Sequence, residues 1–88
     1  MREQLHTYFA SDYAGIEIPS KGIKFYYGYE VTDDDENWCF EATFPDGKVT
    51  IPFPALKAAQ LSIDQYDCDS CLRTGIAILV ERGDLRPK

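Results

Sequence analysis

Residues 37–53 read NWCFEATFPDGKVTIPF, and this stretch decides the fold of the chain. Two segments alternate in polarity on either side of Pro45, Asp46 and Gly47. Proline presets φ and glycine accepts a positive φ, so the tripeptide predicts a tight turn between two antiparallel strands. One face of this hairpin is apolar and carries Trp38, Phe40, Ala42, Phe44, Val49, Ile51 and Phe53. The rest of the chain has to cover that face.

The segments before the hairpin extend the predicted sheet. Residues 23–31 alternate with period two, which indicates a second long strand with Tyr26 on its polar face. The acidic residues 32–36 would form the loop that joins it to the hairpin. Residues 16–18 form a short candidate strand. Because proline suits only an edge strand or its exit, Pro52 places the last strand at an edge. The sequence predicts an antiparallel meander of three to four strands.

Helical signals follow the hairpin. Residues 54–61 are rich in helix formers, with proline plausible at the first helical position. Residues 71–82 predict a longer helix with Asp69 or Ser70 as its N-cap and Gly83 as its left-handed C-terminal residue. Its apolar residues are Leu72, Ile76, Leu79 and Val80. The β-branched residues in this segment leave a strand open as the alternative, and the end signals favour the helix.

Three further features complete the predicted fold. Leu5, Tyr8 and Phe9 have helical spacing, so residues 2–9 predict a short N-terminal helix. Leu85 is expected to fold back onto the end of the C-terminal helix. A chain of 88 residues has room for one core. We therefore predict that residues 1–88 form a single α+β domain with the C-terminal helix packed on one face of the sheet.

The charge is acidic and unevenly distributed. The net charge is −6, which lacks the basic footprint of a nucleic-acid-binding protein, so no direct nucleic-acid binding is expected. Residues 26–46 contain no Lys or Arg, and seven acidic residues fall there. Such asymmetry can steer a basic protein partner, although it also serves solubility alone. The predicted partner-binding residues are Asp33, Asp34, Asp35, Glu36 and the outward-facing Tyr26.

The three cysteines, an odd number, fit reduced thiols better than a disulfide framework. Cys68 and Cys71 form a Cys-x-x-Cys motif at the start of a predicted helix, which can chelate zinc or exchange with a disulfide. A zinc site needs more ligands, from Cys39 and His6 or from a second motif across a homodimer. The alternative is that Cys71 packs as a small apolar residue.

The function remains a choice between two hypotheses at this stage. The leading one is a small, acidic, non-enzymatic interaction or regulatory domain that binds a protein partner, since no catalytic set is evident. The alternative is a thiol module at Cys68 and Cys71, either zinc-binding or redox-active. The sequence shows no apolar run of membrane-spanning length and no signal peptide, so we expect a cytoplasmic location.

Overall fold

The computed structural model describes residues 3–32, 35–60 and 68–88, with side chains over 5–28, 38–59 and 69–88. In chain order the elements are β1 (Glu3–Phe9), a 3₁₀ turn (Ala10–Asp12), β2 (Ile16–Glu17), β3 (Lys24–Thr32), β4 (Asp35–Phe44), β5 (Gly47–Ile51), α1 (Phe53–Gln60), α2 (Cys68–Arg82) and β6 (Arg86–Pro87). None of the helices in these ranges is long and apolar enough to cross a membrane.

Four strands form an antiparallel sheet in the order β1-β3-β4-β5. Phe40 in β4 lies opposite Tyr27 in β3 and opposite Ile51 in β5, which sets the register across the sheet. The turn consists of Pro45 and Asp46 and joins β4 to β5, which begins one residue earlier than predicted, at Gly47. Strand β5 lies at an edge and ends before Pro52, as predicted. A second, two-stranded sheet pairs β2 with β6, with Ile16 opposite Pro87.

The apolar face of the sheet is covered by α2, which confirms the predicted α+β architecture. Phe25, Phe40 and Ala42 are fully buried, and the rings of Phe25 and Phe40 stack with their centroids 5.6 Å apart. The helix contributes Leu72, Ile76 and Leu79 to the same core. Burying side chains of this size contributes about 1.5–3 kcal/mol each. This core therefore holds α2 on the sheet.

Gly75 lets α2 approach the sheet closely. A Cβ atom built on Gly75 would overlap the ring of Phe40. The missing side chain therefore makes room for the aromatic ring, which is fully buried and stacked on Phe25. A glycine costs about 1 kcal/mol relative to alanine inside a helix. Here the cost is offset by the close packing.

The end of α2 follows the predicted pattern. Gly83 has φ 89°, the left-handed conformation that glycine adopts without strain. The backbone N–H of Asp84 donates to the carbonyl of Leu79 over 2.9 Å, which reverses the chain at the helix end. Leu85 is buried in the core beyond this reversal, as predicted. Strand β6 then continues toward β2, and the N–H of Lys88 donates to the carbonyl of Gly15 over 3.0 Å.

The N-terminal prediction is wrong. Residues 3–9 form strand β1, not a helix, and this strand rather than residues 16–18 is the fourth strand of the sheet. Its pairing with β3 places Tyr8 beside Phe25 on the core face. The Tyr8 hydroxyl donates to the carbonyl of Asp12 over 2.9 Å. Pairing along the whole of β1 outweighs the weak helical spacing of three apolar residues.

Several predicted boundaries also move. Helix α2 begins at Cys68, so Asp69 and Ser70 lie inside it rather than at its cap, and the Ser70 hydroxyl accepts a hydrogen bond from Arg73 Nη2 over 3.2 Å. Strand β4 begins at Asp35. The predicted acidic loop 32–36 is therefore shorter than expected, and residues 33–34 lie outside the described residues. Helix α1 begins at Phe53, which the sequence had placed on the hairpin strand.

Candidate interaction surface and thiol site

The face of the four-stranded sheet opposite α2, here called the outer face, is not covered by any of the residues that the structure describes. Strand alternation places every second residue on it, because successive side chains point to opposite sides. Its exposed residues are Thr7, Phe9, Lys24, Tyr26, Thr43, Lys48 and Thr50. Phe9 is 48% exposed and Tyr26 is 40% exposed, which is high for large aromatic residues.

Several side chains on the outer face contact one another through polar or charged groups. Glu41 accepts a hydrogen bond from the Thr50 hydroxyl over 3.4 Å and lies 3.8 Å from Lys48 Nζ. By register Glu41 is directly opposite Tyr26. At the neighbouring strand, Lys24 Nζ lies 5.6 Å from the centroid of the Phe9 ring, a cation–π geometry. By register, Lys24 and Lys48 both lie toward the end of the sheet where β4 turns into β5.

Of the acidic residues predicted to bind a partner, the two that the structure describes lie toward the other end of the sheet, in the hairpin formed by β3 and β4, here called the β3–β4 hairpin. Asp35 and Glu36 open β4, where Asp35 is paired with Thr32 at the end of β3, while Asp33 and Asp34 lie outside the described residues. Tyr26 lies six residues before Thr32 in β3. At the rise of an extended strand this is a distance of about 20 Å. Of the predicted partner-binding residues that the structure describes, Tyr26 thus lies well apart from Asp35 and Glu36 along β3 and β4.

Cys71 occupies a closed position under α2. Its side chain is fully buried, and its Sγ atom lies 2.8 Å from the carbonyl oxygen of Cys39 and 3.8 Å from that of Gly28. Gly28 and Cys39 are directly opposite each other in β3 and β4. Cys71 therefore packs onto the backbone of the central strand pair, and its thiol has a carbonyl acceptor there.

No metal site is assembled from the proposed ligands whose side chains the structure describes. The side chain of Cys68 lies outside the described residues. His6 is exposed on β1, with its ring centroid 5.5 Å from that of Tyr27. Within the described residues there is no group of three or more His, Cys, Asp or Glu side chains suited to a metal ion. Neither Cys39 nor Cys71 is joined in a disulfide bond within the part of the chain that the structure describes.

A shallow groove, which the sequence did not indicate, lies where the β4–β5 turn meets the end of α2. Its open volume of about 380 Å³ is lined in part by Phe44, Asp46, Lys48 and Asp84. Asp84 Oδ2 lies 3.8 Å from Arg82 Nε. The lining residues come from the β4–β5 turn and from the reversal that follows α2. No local motif could have revealed their proximity.

Comparisons with protein-family models, with curated proteins and with solved structures gave no match to this chain. Its function is therefore argued from the chemistry and geometry of its own surface.

Proposed function

We propose that this protein is a small, non-enzymatic interaction domain that binds a basic protein through its β3–β4 hairpin. The observation that carries the proposal is the uncovered outer face, which exposes Tyr26 on the central strand β3, together with an acidic segment where β3 leads into β4. Tyrosine is enriched at protein interfaces because it offers a large rigid contact area and a polar tip. Carboxylates at the end would steer a basic partner toward that tyrosine.

The length of the hairpin fits this arrangement. Strands β3 and β4 pair over nine residues, from Lys24–Thr43 to Thr32–Asp35. A partner lying along this axis would meet Tyr26 toward one end of the hairpin and carboxylates at the other end. Lys24 and Lys48 lie at the end beside Tyr26, so they would direct the basic groups of the partner toward the acidic end. The polarity of the surface therefore supports one orientation of the bound protein.

The closed position of Cys71 weighs for the interaction domain and against the thiol module. A metal ligand or redox nucleophile has to act as a thiolate with access to its ion or substrate. Cys71 is instead fully buried beside a backbone carbonyl. A cytoplasmic location is part of this proposal, and it fits the lack of a disulfide bond at Cys39 and Cys71 among the described residues.

Site-specific photocrosslinking tests the proposal. The photoreactive residue p-benzoylphenylalanine replaces Tyr26 on the outer face in one variant and Ala77, an exposed residue of α2, in the control. Both variants are expressed in cells that make the protein naturally. We expect a crosslinked basic protein at position 26 and not at position 77. Equal crosslinking at both positions, or a specific partner that is acidic, would contradict the proposal.

A further inference from the structure

Strand β1 offers an open edge. It is the first strand in the sheet order and pairs with β3 alone among the strands that the structure describes. The N–H of Ala10 donates to the carbonyl of Ile23 over 2.9 Å, which extends the β1–β3 register by one position. In an antiparallel pair, alternate residues direct both backbone groups to the same neighbouring strand. Tyr8 and His6 therefore bond toward β3.

The intervening residues of β1 direct their backbone groups away from β3. These residues are Glu3, Leu5, Thr7 and Phe9. Among the described residues, each of them leaves one donor and one acceptor available at the edge of the sheet. Such a row is a template for another strand unless proline, lysine or a bulge blocks it.

The two edge strands of the sheet differ in how well their sequences prevent pairing with another strand. Edge strand β5 has five residues, includes Lys48 and is followed at once by Pro52. Edge strand β1 has seven residues and contains neither proline nor lysine, and its register with β3 has no bulge. Natural sheets seldom leave a strand of this length open. The difference singles out β1 as the edge that a partner covers.

We propose that β1 of a second copy of this chain covers that edge, antiparallel and related by a two-fold axis that passes through His6. The product is a continuous eight-stranded sheet. The open residues are arranged symmetrically about His6, so Leu5 of each protomer pairs with Thr7 of the other, and Glu3 pairs with Phe9. No other centre within β1 pairs all four open residues. The edge is therefore self-complementary, as a two-fold interface requires.

The distribution of charged residues is also compatible with pairing of β1 with β1 of a second copy. Glu3 lies at the end of β1 that is nearest the acidic end of the hairpin, whereas Phe9 lies opposite Lys24. The antiparallel arrangement brings Glu3 of one protomer to the row that holds Phe9 and Lys24 of the other. It also places the two acidic hairpin ends at opposite ends of the joined sheet. Keeping the two acidic ends apart limits the repulsion between two chains of net charge −6.

Disulfide trapping tests both the dimer and its register. His6 would face its own copy in a non-hydrogen-bonded pair, with a Cα separation of about 4.5 Å, within the range that a disulfide spans. In the His6→Cys variant we expect rapid intermolecular crosslinking under mild oxidation, located by peptide mass spectrometry at the introduced cysteine. Thr7→Cys is the matched control, because its two copies would be diagonal and about 9 Å apart, beyond disulfide reach.

A second variant tests the open backbone groups directly. Thr7→Pro removes an N–H that points away from β3, so it spares the β1–β3 bonds and is expected to convert the dimer into a folded monomer in sedimentation equilibrium. A wild-type protein that stays monomeric at its highest soluble concentration would overturn the proposal. Crosslinking of Thr7→Cys as fast as that of His6→Cys would overturn it too. Should Thr7→Pro fail to fold, the crosslinking comparison decides alone.

Discussion

Gly75 and Phe40 are matched across the interface between helix and sheet, and the ring fills the volume that a Cβ on the glycine would need. Replacing Gly75 by alanine adds a methyl group where the stacked rings of Phe25 and Phe40 leave no space. We expect Gly75→Ala to lower the free energy of unfolding by about 1–3 kcal/mol, which is typical of overpacking. Urea denaturation measures the change.

Alanine also has a better intrinsic helix propensity than glycine, by about 1 kcal/mol. A free energy of unfolding raised by about that amount would therefore show that the helix moves away from Phe40 without cost, whereas an unchanged value would mean a steric cost of about the same size. The Phe40→Leu variant provides a control. If the two residues are matched, Gly75→Ala should cost less in that background, and the double-mutant cycle should show coupling.

A second prediction concerns substitutions of Gly83 at the end of α2. Gly83 has φ 89° and nothing near the position of a Cβ, so the cost of a side chain there is conformational alone. Gly83→Ala is expected to lower the free energy of unfolding by about 1–2 kcal/mol, and Gly83→Asn by clearly less, because asparagine tolerates the left-handed region. Thermal denaturation of the three proteins checks the ranking. Equal losses for alanine and asparagine would contradict a conformational cause.

A third prediction concerns the reactivity of Cys71 and the effect of zinc on stability. Because Cys71 is fully buried against the carbonyl of Cys39, its alkylation in the native protein should be slow and limited by opening of the structure. The same packing predicts that zinc leaves the thermal midpoint unchanged. Rapid native alkylation of Cys71, or a zinc-dependent rise in the midpoint that the Cys68→Ser, Cys71→Ser variant loses, would favour the thiol module instead.

Much of the fold could be predicted because its signals are local. The Pro45–Asp46–Gly47 turn and the alternation on both sides specify β4 and β5, and the end of α2 is marked by Gly83. Strand β1 was missed because Leu5, Tyr8 and Phe9 also fit a helical spacing, and its strand state depends on pairing with β3, which lies far along the chain. The role of Gly75 depends in the same way on a distant ring.

The surface was less predictable than the fold. Alternation along β3 indicated that Tyr26 faces outward, and its exposure confirms this. The distance of about 20 Å between Tyr26 and the end of the hairpin follows from the strand register, which composition does not contain. The groove at Asp84 joins the β4–β5 turn to the end of α2, two segments that are separate in the sequence. Spatial convergence of this kind leaves no pattern in a single sequence.

The most direct test of the interaction proposal uses the partner protein that is captured by crosslinking at position 26. Its affinity is measured for two charge variants of this chain. One variant neutralises the hairpin end with Asp33→Asn, Asp34→Asn and Asp35→Asn. The control neutralises three acidic residues elsewhere with Asp12→Asn, Glu17→Gln and Glu81→Gln, so that both variants have the same net charge. Isothermal titration calorimetry gives the dissociation constants.

We predict that neutralising the hairpin end weakens binding by about tenfold or more and flattens its salt dependence, while the control binds like the wild type. Equal effects of the two variants would mean that only net charge matters. That result, or unchanged binding in both, would contradict a binding site on the hairpin.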